Sequence, residues 1–279
     1  MKIPLFYIDA FSNEVFKGNT AAVCILESWL PDEFLQSIAS EHLVSETAFI
    51  VKDQKEMFHL RWFTPKMEVP LCGHATLAAA HVIFSIYDFG AKPIKFKTKS
   101  GILPVKKTND GKIMLDFPAY PSELTKVDPL WSKALGVTIK EAYKSIYTLL
   151  ILDNEDDICD IKPNFQLLKE LEKNGVIVTA PGSDCDFVSR FFAPLAGINE
   201  DPVTGSAHCV LAPYWAKKLN KNTFFARQLS ERTGDIWCQL ENDRVMISGY
   251  ATTYMQGMIN IKGKPSSVLV PFDFAEEQK

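Results

Sequence analysis

The chain has 279 residues, of which 47% are hydrophobic and 23% charged, and its formal net charge is −4 at pH 7. This composition is typical of a globular protein with one large or two medium domains. The acidic balance excludes the basic footprint of a nucleic-acid-binding protein. The longest apolar runs, such as residues 21–26, are too short to span a bilayer.

Cysteine usage and the first residues indicate a reducing compartment. The six cysteines form no Cys-x-x-Cys pair and are too sparse for a disulfide framework. No secretory signal is visible, because Asp9, Ser12 and Glu14 precede any long apolar run. We therefore expect a cytoplasmic protein without membrane attachment.

Short β-strand patterns dominate the chain. The first helix is predicted to start at Pro31, with Asp32 and Glu33 in its first turn, where the helix dipole favours negative charge. Alternation of apolar and polar residues predicts strands at residues 58–62, 94–96, 113–117 and 236–240. The turn Asn242-Asp243 and a returning strand follow the last of these, which predicts a hairpin.

Two further helices, at residues 75–86 and 207–216, are apolar nearly all round. A helix without a polar face must be enclosed, and here a curled sheet is expected to wrap around it. The proline-rich segment 116–129 predicts an inter-domain linker. The sequence thus predicts an α+β protein of two pseudo-symmetric domains, residues 1–120 and 121–279, each a curled, mostly antiparallel, barrel-like sheet around a central helix.

Two distant stretches of the chain are nearly identical. Residues 61–65 read Arg-Trp-Phe-Thr-Pro and residues 190–194 read Arg-Phe-Phe-Ala-Pro, at an offset of 129 residues. Downstream, Pro-Leu-Cys-Gly-His-Ala at 70–75 matches Pro-Val-Thr-Gly-Ser-Ala at 202–207, at an offset of 132. The first predicted helix recurs after Pro163. Such a long period indicates two copies of one fold unit.

Each copy places a glycine, Gly73 or Gly205, directly before its enclosed helix. The first N–H groups and the positive dipole end of a helix suit a carboxylate or phosphate, so two such helices at one cleft predict an anion site. The alternative is that both glycines only permit tight turns. His74 occupies the expected cap position, where it could bind a ligand or transfer a proton. Neither a nucleotide-binding loop nor a metal-ligand spacing appears, so no cofactor and no metal are expected.

The two copies differ in their acids. Glu46 lies in an apolar strand pattern, and its counterpart falls near Val178, in a stretch without ionisable side chains. A carboxylate at this place lies either on a solvated strand face or in a partly dry cleft, as a general acid/base requires. Asp201 corresponds to Val69, although Glu68 is adjacent. The predicted scaffold is symmetric, whereas the predicted chemistry is not.

Several motifs occur in order along nearly the whole chain: Asp-Ala-Phe at 9–11, Gly-Asn-Thr-Ala-Ala-Val at 18–23, Ser-Glu-Thr-Ala-Phe at 45–49, Leu-Cys-Gly-His-Ala-Thr at 71–76, Asp-Phe-Pro at 116–118 and Asp-Pro-Val-Thr-Gly-Ser-Ala at 201–207. Each is weak alone, but together they are specific. In these motifs the chain resembles the PhzF-like family of phenazine biosynthesis, which shares its fold with diaminopimelate epimerase and proline racemase.

This resemblance implies homodimers and proton transfer without cofactor or metal. In the phenazine enzyme, one glutamate moves a proton between ring carbons of trans-2,3-dihydro-3-hydroxyanthranilate, and Glu46 matches that glutamate. His74, Asp201 and Ser206 match the polar residues that bind substrate and assist the proton relay.

The racemases that share the fold use two cysteines, one before each glycine. This chain has Cys72 at the first position and Thr204 at the second. Threonine does not act as a thiolate-type base near pH 7 without strong activation, so racemisation by two bases is disfavoured. Cys72 is then expected to be a small packing residue beside the site.

We therefore expect a cofactor-independent isomerase that acts on a small carboxylate-bearing substrate, with Glu46, Asp201 and His74 as catalytic residues. Substrate contacts are expected from Ser206, Gly73, Gly205, Asn19 and Cys72. Two alternatives stay open: an amino-acid or hydroxy-acid racemase or epimerase that uses Cys72, and a non-catalytic protein that binds small carboxylates.

Overall fold

The computed structural model of the protein describes residues 1–53, 57–87 and 92–261. Its strands are β1 (Lys2–Ala10), β2 (Asn19–Leu26), β3 (Glu46–Lys52), β4 (Phe58–Phe63), β5 (Glu68–Val69), β6 (Ile94–Thr98), β7 (Gly101–Lys107), β8 (Ile113–Pro118), β9 (Glu123–Thr125), β10 (Glu141–Lys144), β11 (Thr148–Ile151), β12 (Val176–Pro181), β13 (Phe187–Phe192), β14 (Thr223–Gln228), β15 (Gly234–Glu241), β16 (Arg244–Gly249) and β17 (Ala251–Asn260). Its α-helices are α1 (Asp32–His42), α2 (Gly73–Ile86), α3 (Pro129–Leu135), α4 (Glu155–Cys159), α5 (Phe165–Leu171) and α6 (Gly205–Leu219).

All strands join one sheet that is symmetric about the pairing of β8 with β16. The first half runs β17-β1-β2-β3-β4-β6-β7-β8, and the second runs β16-β15-β14-β13-β12-β11-β10-β9. Parallel pairs occur at equivalent places, β2–β3 and β4–β6 in the first half, β11–β12 and β13–β14 in the second. The predicted repeat is therefore a repeat of strand order, and the predicted α+β class with a curled, mostly antiparallel sheet is confirmed.

The helix α2 is enclosed by the first half of the sheet. It packs against β1, β2, β3, β8 and β17, which come from both ends of that half, so the strands curl around it. The helix is rich in small residues, and Ala75, Ala78, Ala79 and Ala80 are fully buried. In the second half α6 packs against β15 and β16 and is buried from residue 207 to 215. Both helices confirm the enclosed helices predicted from their apolar sequences.

The last described strand lies in the first half of the sheet. β17 pairs with β1 along its length, with Lys2 opposite Asn260 and Ala10 opposite Ala251. The predicted division into residues 1–120 and 121–279 assigned this strand to the second domain, although its pairing is with the first. The division stays a prediction, and its residues 262–279 lie outside the described part of the chain.

The segment 116–129 is more regular than the predicted linker. Its first residues form the end of β8, and β9 lies within it. Its prolines stand at a strand end and in the connection, where they remove no hydrogen bond between paired strands. The connection is anchored to α6 at Pro213. A proline has no N–H, so the carbonyl of Cys209 has no partner in the helix and accepts the N–H of Tyr120 at 2.9 Å.

The remaining predicted elements are present. Asn242 and Asp243 join β15 to β16, with Glu241 opposite Arg244, as the hairpin prediction requires. Both helices predicted to follow a proline are present as α1 and α5. Among the described residues, none of the helices is long and apolar enough to cross a membrane.

Both copies of the repeat contain the same ion pair. Arg61 donates two hydrogen bonds to Glu68, at 2.8 and 2.7 Å, and Arg190 donates two to Glu200, at 2.7 and 2.8 Å. Glu200 is therefore the counterpart of Glu68. Asp201, one residue further on, corresponds to an apolar position of the first copy, as predicted.

Strand register assigns Glu46 a different counterpart from the predicted one. The pairs β3–β4 and β12–β13 have the same register when the second copy is shifted by 129 residues. With that shift Glu46 corresponds to Gly175, whereas the offset of 132 had pointed to Val178. Gly175 has a φ of 146°, and a Cβ added there would lie 2.5 Å from Cζ of Phe191. An aromatic ring thus occupies the place where the second copy would carry an acid.

We predict that Gly175→Ala destabilises the protein more than Gly111→Ala does. Both glycines have a positive φ, which strains any other residue, but a Cβ at Gly111 has open space around it. Overlap with Phe191 is expected to make the Gly175→Ala loss in unfolding free energy larger by about 1–3 kcal/mol. Urea unfolding followed by tryptophan fluorescence measures both losses, and equal losses would contradict the steric role of Phe191.

Candidate active site

The enclosed helices α2 and α6 begin against each other. A Cβ built on Gly73 would lie 3.7 Å from the Cα of Gly205, and one on Gly205 would lie 3.8 Å from the Cα of Gly73. Neither glycine has a positive φ, and neither distance is a clash, so a tight turn does not explain them. Side chains here would cover the first N–H groups of both helices, which have no partner within the helix. The glycines keep both helix starts open to a ligand.

A cavity of about 410 Å³ lies in front of the two helix starts, within the usual range for small-molecule sites. Its wall combines polar groups with aromatic rings, which include Phe117, Tyr120, Tyr147 and Phe191. The predicted site residues that line the cavity are Glu46, Cys72, Gly73, His74, Asp201, Gly205 and Ser206. The fold therefore brings together both copies of the glycine turn and the two acids, Glu46 and Asp201, that have no acidic counterpart in the other copy.

Glu46 is the first residue of β3 and lies in the cleft, not on a solvated face of its strand. The residue is 9% exposed, and its Oε2 lies 3.2 Å from Nε2 of His74. The two atoms are not aligned as a hydrogen bond, and neither has another hydrogen-bond partner among the described residues. Both therefore retain hydrogen-bonding capacity for a ligand in the cavity.

His74 is the second residue of α2 and not its cap, because Cys72 occupies the N-cap position. Its imidazole lies between two groups, with Nδ1 3.6 Å from Sγ of Cys72 and Nε2 facing Glu46. Burial opposes the imidazolium, but the Cys72 sulfur and the Glu46 carboxylate favour it and raise the pKa of His74 well above its usual value. Burial raises the pKa of Cys72 to about 11.

Asp201 is fixed at the cavity wall by neighbouring side chains. Asn19 donates to its Oδ1 at 2.8 Å, and the hydroxyl of Thr204 donates to its Oδ2 at 2.6 Å. Burial raises the pKa of Asp201, although the charge of His74 opposes this shift. Asn19 was expected to bind substrate, but it lies buried behind the wall, because its amide is held by Asp201 and the carbonyl of Val203. It therefore positions Asp201.

Gln228 supports the site from outside the cavity, and the sequence did not reveal this role. It ends β14 and is fully buried, and its Oε1 accepts the N–H of Thr204 at 2.8 Å. Its Nε2 donates to the carbonyl of Asp201 at 2.7 Å and lies 3.2 Å from the hydroxyl of Thr204. Gln228 thus fixes the turn that precedes α6. No sequence signal distinguished Gln228, because it ends a strand that also carries Thr223 and Arg227.

Tyr147 is a second unanticipated residue of the wall. Its hydroxyl lies 3.0 Å from Oγ of Ser206, and its ring meets Phe191 edge to face at 4.9 Å between centroids. The pair of hydroxyls places a polar contact next to the aromatic wall. A ligand there can combine an apolar body with a polar substituent.

Glu46, Cys72 and His74 also form a cluster of possible metal ligands. A carboxylate oxygen, a sulfur and an imidazole nitrogen lie within 4.8 Å of one another, and all three residues are buried. Such donors are typical of zinc sites. The sequence predicted no metal site, because Glu46 lies far from the other two along the chain and only the fold brings it to them.

Comparison with known proteins agrees with the motifs and the fold. The family model for phenazine biosynthesis-like proteins matches residues 8–257. The chain belongs to this family. One relative, an uncharacterized isomerase of Pseudomonas aeruginosa, is 49% identical over 263 residues, which is 94% of this chain and 100% of the relative. The resemblance identified from the motifs is thereby confirmed, and relatives within the family are named as isomerases.

Solved structures extend the comparison to the fold. A PhzF family protein from Enterococcus faecalis is 46% identical, with a TM-score of 0.91, and the match covers 94% of this chain and 100% of that one. A predicted epimerase from Pseudomonas aeruginosa is 18% identical, with a TM-score of 0.71, over 93% of this chain and 100% of that one. The second likeness concerns the fold alone.

The two buried histidines, His74 of α2 and His208 of α6, are expected to have pKa values shifted in opposite directions. The pKa of His74 is raised by its neighbours, whereas burial lowers the pKa of His208 to about 4. In an NMR pH titration of the imidazole protons, His74 should keep its proton above pH 6.5, and His208 should stay neutral down to about pH 4. Variants His74→Gln and His208→Gln assign the signals.

The same titration tests the contact between Glu46 and His74. Glu46→Gln removes the counter-charge, so the midpoint of His74 should fall. Glu68→Gln is the matched control, because that carboxylate binds Arg61 and should leave the midpoint unchanged. An unchanged midpoint in Glu46→Gln would show that Glu46 does not stabilise the imidazolium.

Proposed function

We propose that the protein is an isomerase that moves a proton between two carbons of a small carboxylate-bearing substrate, using only groups of its own chain. The observation that carries this proposal is the placement of one carboxylate, Glu46, beside the open helix starts at Gly73 and Gly205, while its counterpart in the other copy is Gly175. Membership of a family with relatives named as isomerases supports the same class of reaction.

The substrate carboxylate would bind where the two helices begin. Two positive helix ends and their free N–H groups meet there, and an anion between them is stabilised by both. Ser206 is exposed in the first turn of α6 and adds a hydroxyl donor. The aromatic side of the cavity, with Phe117 and Tyr147, would hold the apolar body of the substrate.

Glu46 would act as the general base and then as the general acid. Its carboxylate takes a proton from one carbon, and the electron pair of that C–H bond forms a new double bond to the neighbouring carbon. The electron pair of the original double bond moves to the carbon at its far end. The carbon at the far end then takes the proton back from Glu46, so the overall change is an isomerisation without oxidation or reduction. One carboxylate reaches one face of the substrate, which suits a tautomerisation or allylic shift.

His74 and Asp201 would support this transfer. Nε2 of His74 lies 3.2 Å from Oε2 of Glu46 and is well placed to relay a proton. Burial raises the pKa of Asp201 above its usual value, so this carboxyl group holds a proton more readily than an exposed aspartate does. Asn19, Thr204 and Gln228 hold Asp201 in place.

Racemisation by two opposed bases has less support. The Thr204 hydroxyl, at the place of the second thiol, is engaged in donating to Asp201 at 2.6 Å. The pKa of Cys72 is raised to about 11, so only a small fraction is thiolate near pH 7. A single carboxylate accounts for the site better than a pair of thiols.

We predict that Glu46→Gln abolishes hydrogen exchange into a substrate. Small carboxylates incubated with the protein in deuterated water are screened by mass shift. With a carboxylate that incorporates deuterium, the variant should lower the rate by about 10²–10⁴-fold, because it removes the general base. Binding should change little, since the anion contacts come from the helix starts. Glu68→Gln, an acid that pairs with Arg61 outside the cavity, is the control and should exchange normally.

Other results would point to other functions. Near-wild-type exchange in Glu46→Gln would remove that residue from the mechanism. Stereoinversion that is lost in Cys72→Ala would indicate a racemase or epimerase. Binding of carboxylates without deuterium incorporation into any of them would indicate a binding protein.

A further inference from the structure

We propose that Glu46, Cys72 and His74 form a binding site for a thiophilic divalent cation such as Zn²⁺, and that the bound ion inhibits the enzyme. This inference goes beyond the proposed isomerase function, in which the same side chains act without metal. It rests on the kinds of donor atoms, on their separations and on their burial.

The donor atoms lie close to the spacing that a metal requires. Metal–ligand distances of about 2.0–2.3 Å place tetrahedral ligands about 3.3–3.8 Å apart. Oε2 of Glu46 lies 3.2 Å from Nε2 of His74, and all three donors lie within 4.8 Å of one another. Side-chain movements of roughly 1 Å would therefore bring the oxygen, the nitrogen and the sulfur to coordination distance from one ion.

Two of the donor atoms face each other at 3.2 Å without an aligned hydrogen bond. Oε2 of Glu46 and Nε2 of His74 are buried and have no hydrogen-bond partner among the described residues. Buried polar atoms without partners are costly, so a cation that binds both gains from satisfying them. The ion would replace the proton of the Cys72 thiol and one proton of the imidazolium, and both protons pass to solvent.

The surroundings leave one coordination position open. The three residues line the cavity at the start of α2, so a fourth ligand, water or the carboxylate of a small molecule, can approach from the cavity. Three protein ligands and one open position are typical of zinc sites that exchange ligands. With its carboxylate on the ion, Glu46 could no longer accept a proton, which is the reason for inhibition.

Cobalt(II) is the appropriate probe, because its spectrum reports thiolate ligands directly. The starting protein is the full chain with Cys159→Ser, since Cys159 is exposed and has acidic neighbours that could bind cobalt at the surface. Titration with Co²⁺ should produce a thiolate-to-cobalt charge-transfer band and intense visible bands of a four-coordinate ion, saturating at one equivalent. Addition of Zn²⁺ should remove both.

Variants locate the ion. Cys72→Ser should abolish the charge-transfer band, and His74→Gln should weaken Co²⁺ binding at least tenfold. Cys209→Ser is the matched control, because this thiol is also buried and lines the same cavity. It should leave the spectrum unchanged. Urea unfolding checks that each variant is folded.

The proposal is overturned if Co²⁺ gives only the weak spectrum of a six-coordinate ion. It is also overturned if the band persists in Cys72→Ser or disappears in Cys209→Ser. All of these measurements read metal binding without substrate, so their outcome is independent of whether the protein is an isomerase, whereas inhibition by the ion rests on the proposed function.

Discussion

The site depends on the meeting of two helix N-termini. Gly73 and Gly205 bring the positive ends of α2 and α6 so close that a Cβ on either glycine would contact the Cα of the other. Two positive helix ends at this separation are electrostatically unfavourable by themselves. The buried carboxyl groups of Glu46 and Asp201 beside the helix starts offset part of that cost. The curled halves of the sheet hold the helices in place, since both helices are apolar and must remain enclosed. A small anion between the helix ends complements this charge arrangement.

On this symmetric scaffold the chemistry is asymmetric. The ion pairs Arg61–Glu68 and Arg190–Glu200 are shared by both copies and stabilise the equivalent strands. At the position equivalent to Glu46, the second copy has Gly175, against which an aromatic ring packs. Duplication therefore supplied two equivalent helix starts, and divergence left Glu46 on the first copy and Asp201 on the second, each without an acidic counterpart.

Much of this organisation was predictable, because it follows from repeated motifs and from the spacing of apolar residues along the chain. The offset of Arg61 and Arg190 predicted the repeated strand order, and the apolar stretches predicted the enclosed helices. The partners of Asp201 were not predictable in the same way. Asn19 was assigned to the substrate and Gln228 was missed, because their hydrogen bonds join residues 182 and 27 positions apart in the chain. No periodicity records such pairs.

The sequence by itself determined the fold class, the duplication, the glycine turns and the identity of the unshared acids, since these follow from periodicity and from residue type. Tertiary structure decided the strand register, which paired Glu46 with Gly175, and the contact of His74 with both Glu46 and Cys72. Hydrogen bonds and charge interactions act over a few ångströms. Which side chains come that close is set by the packing of the whole sheet.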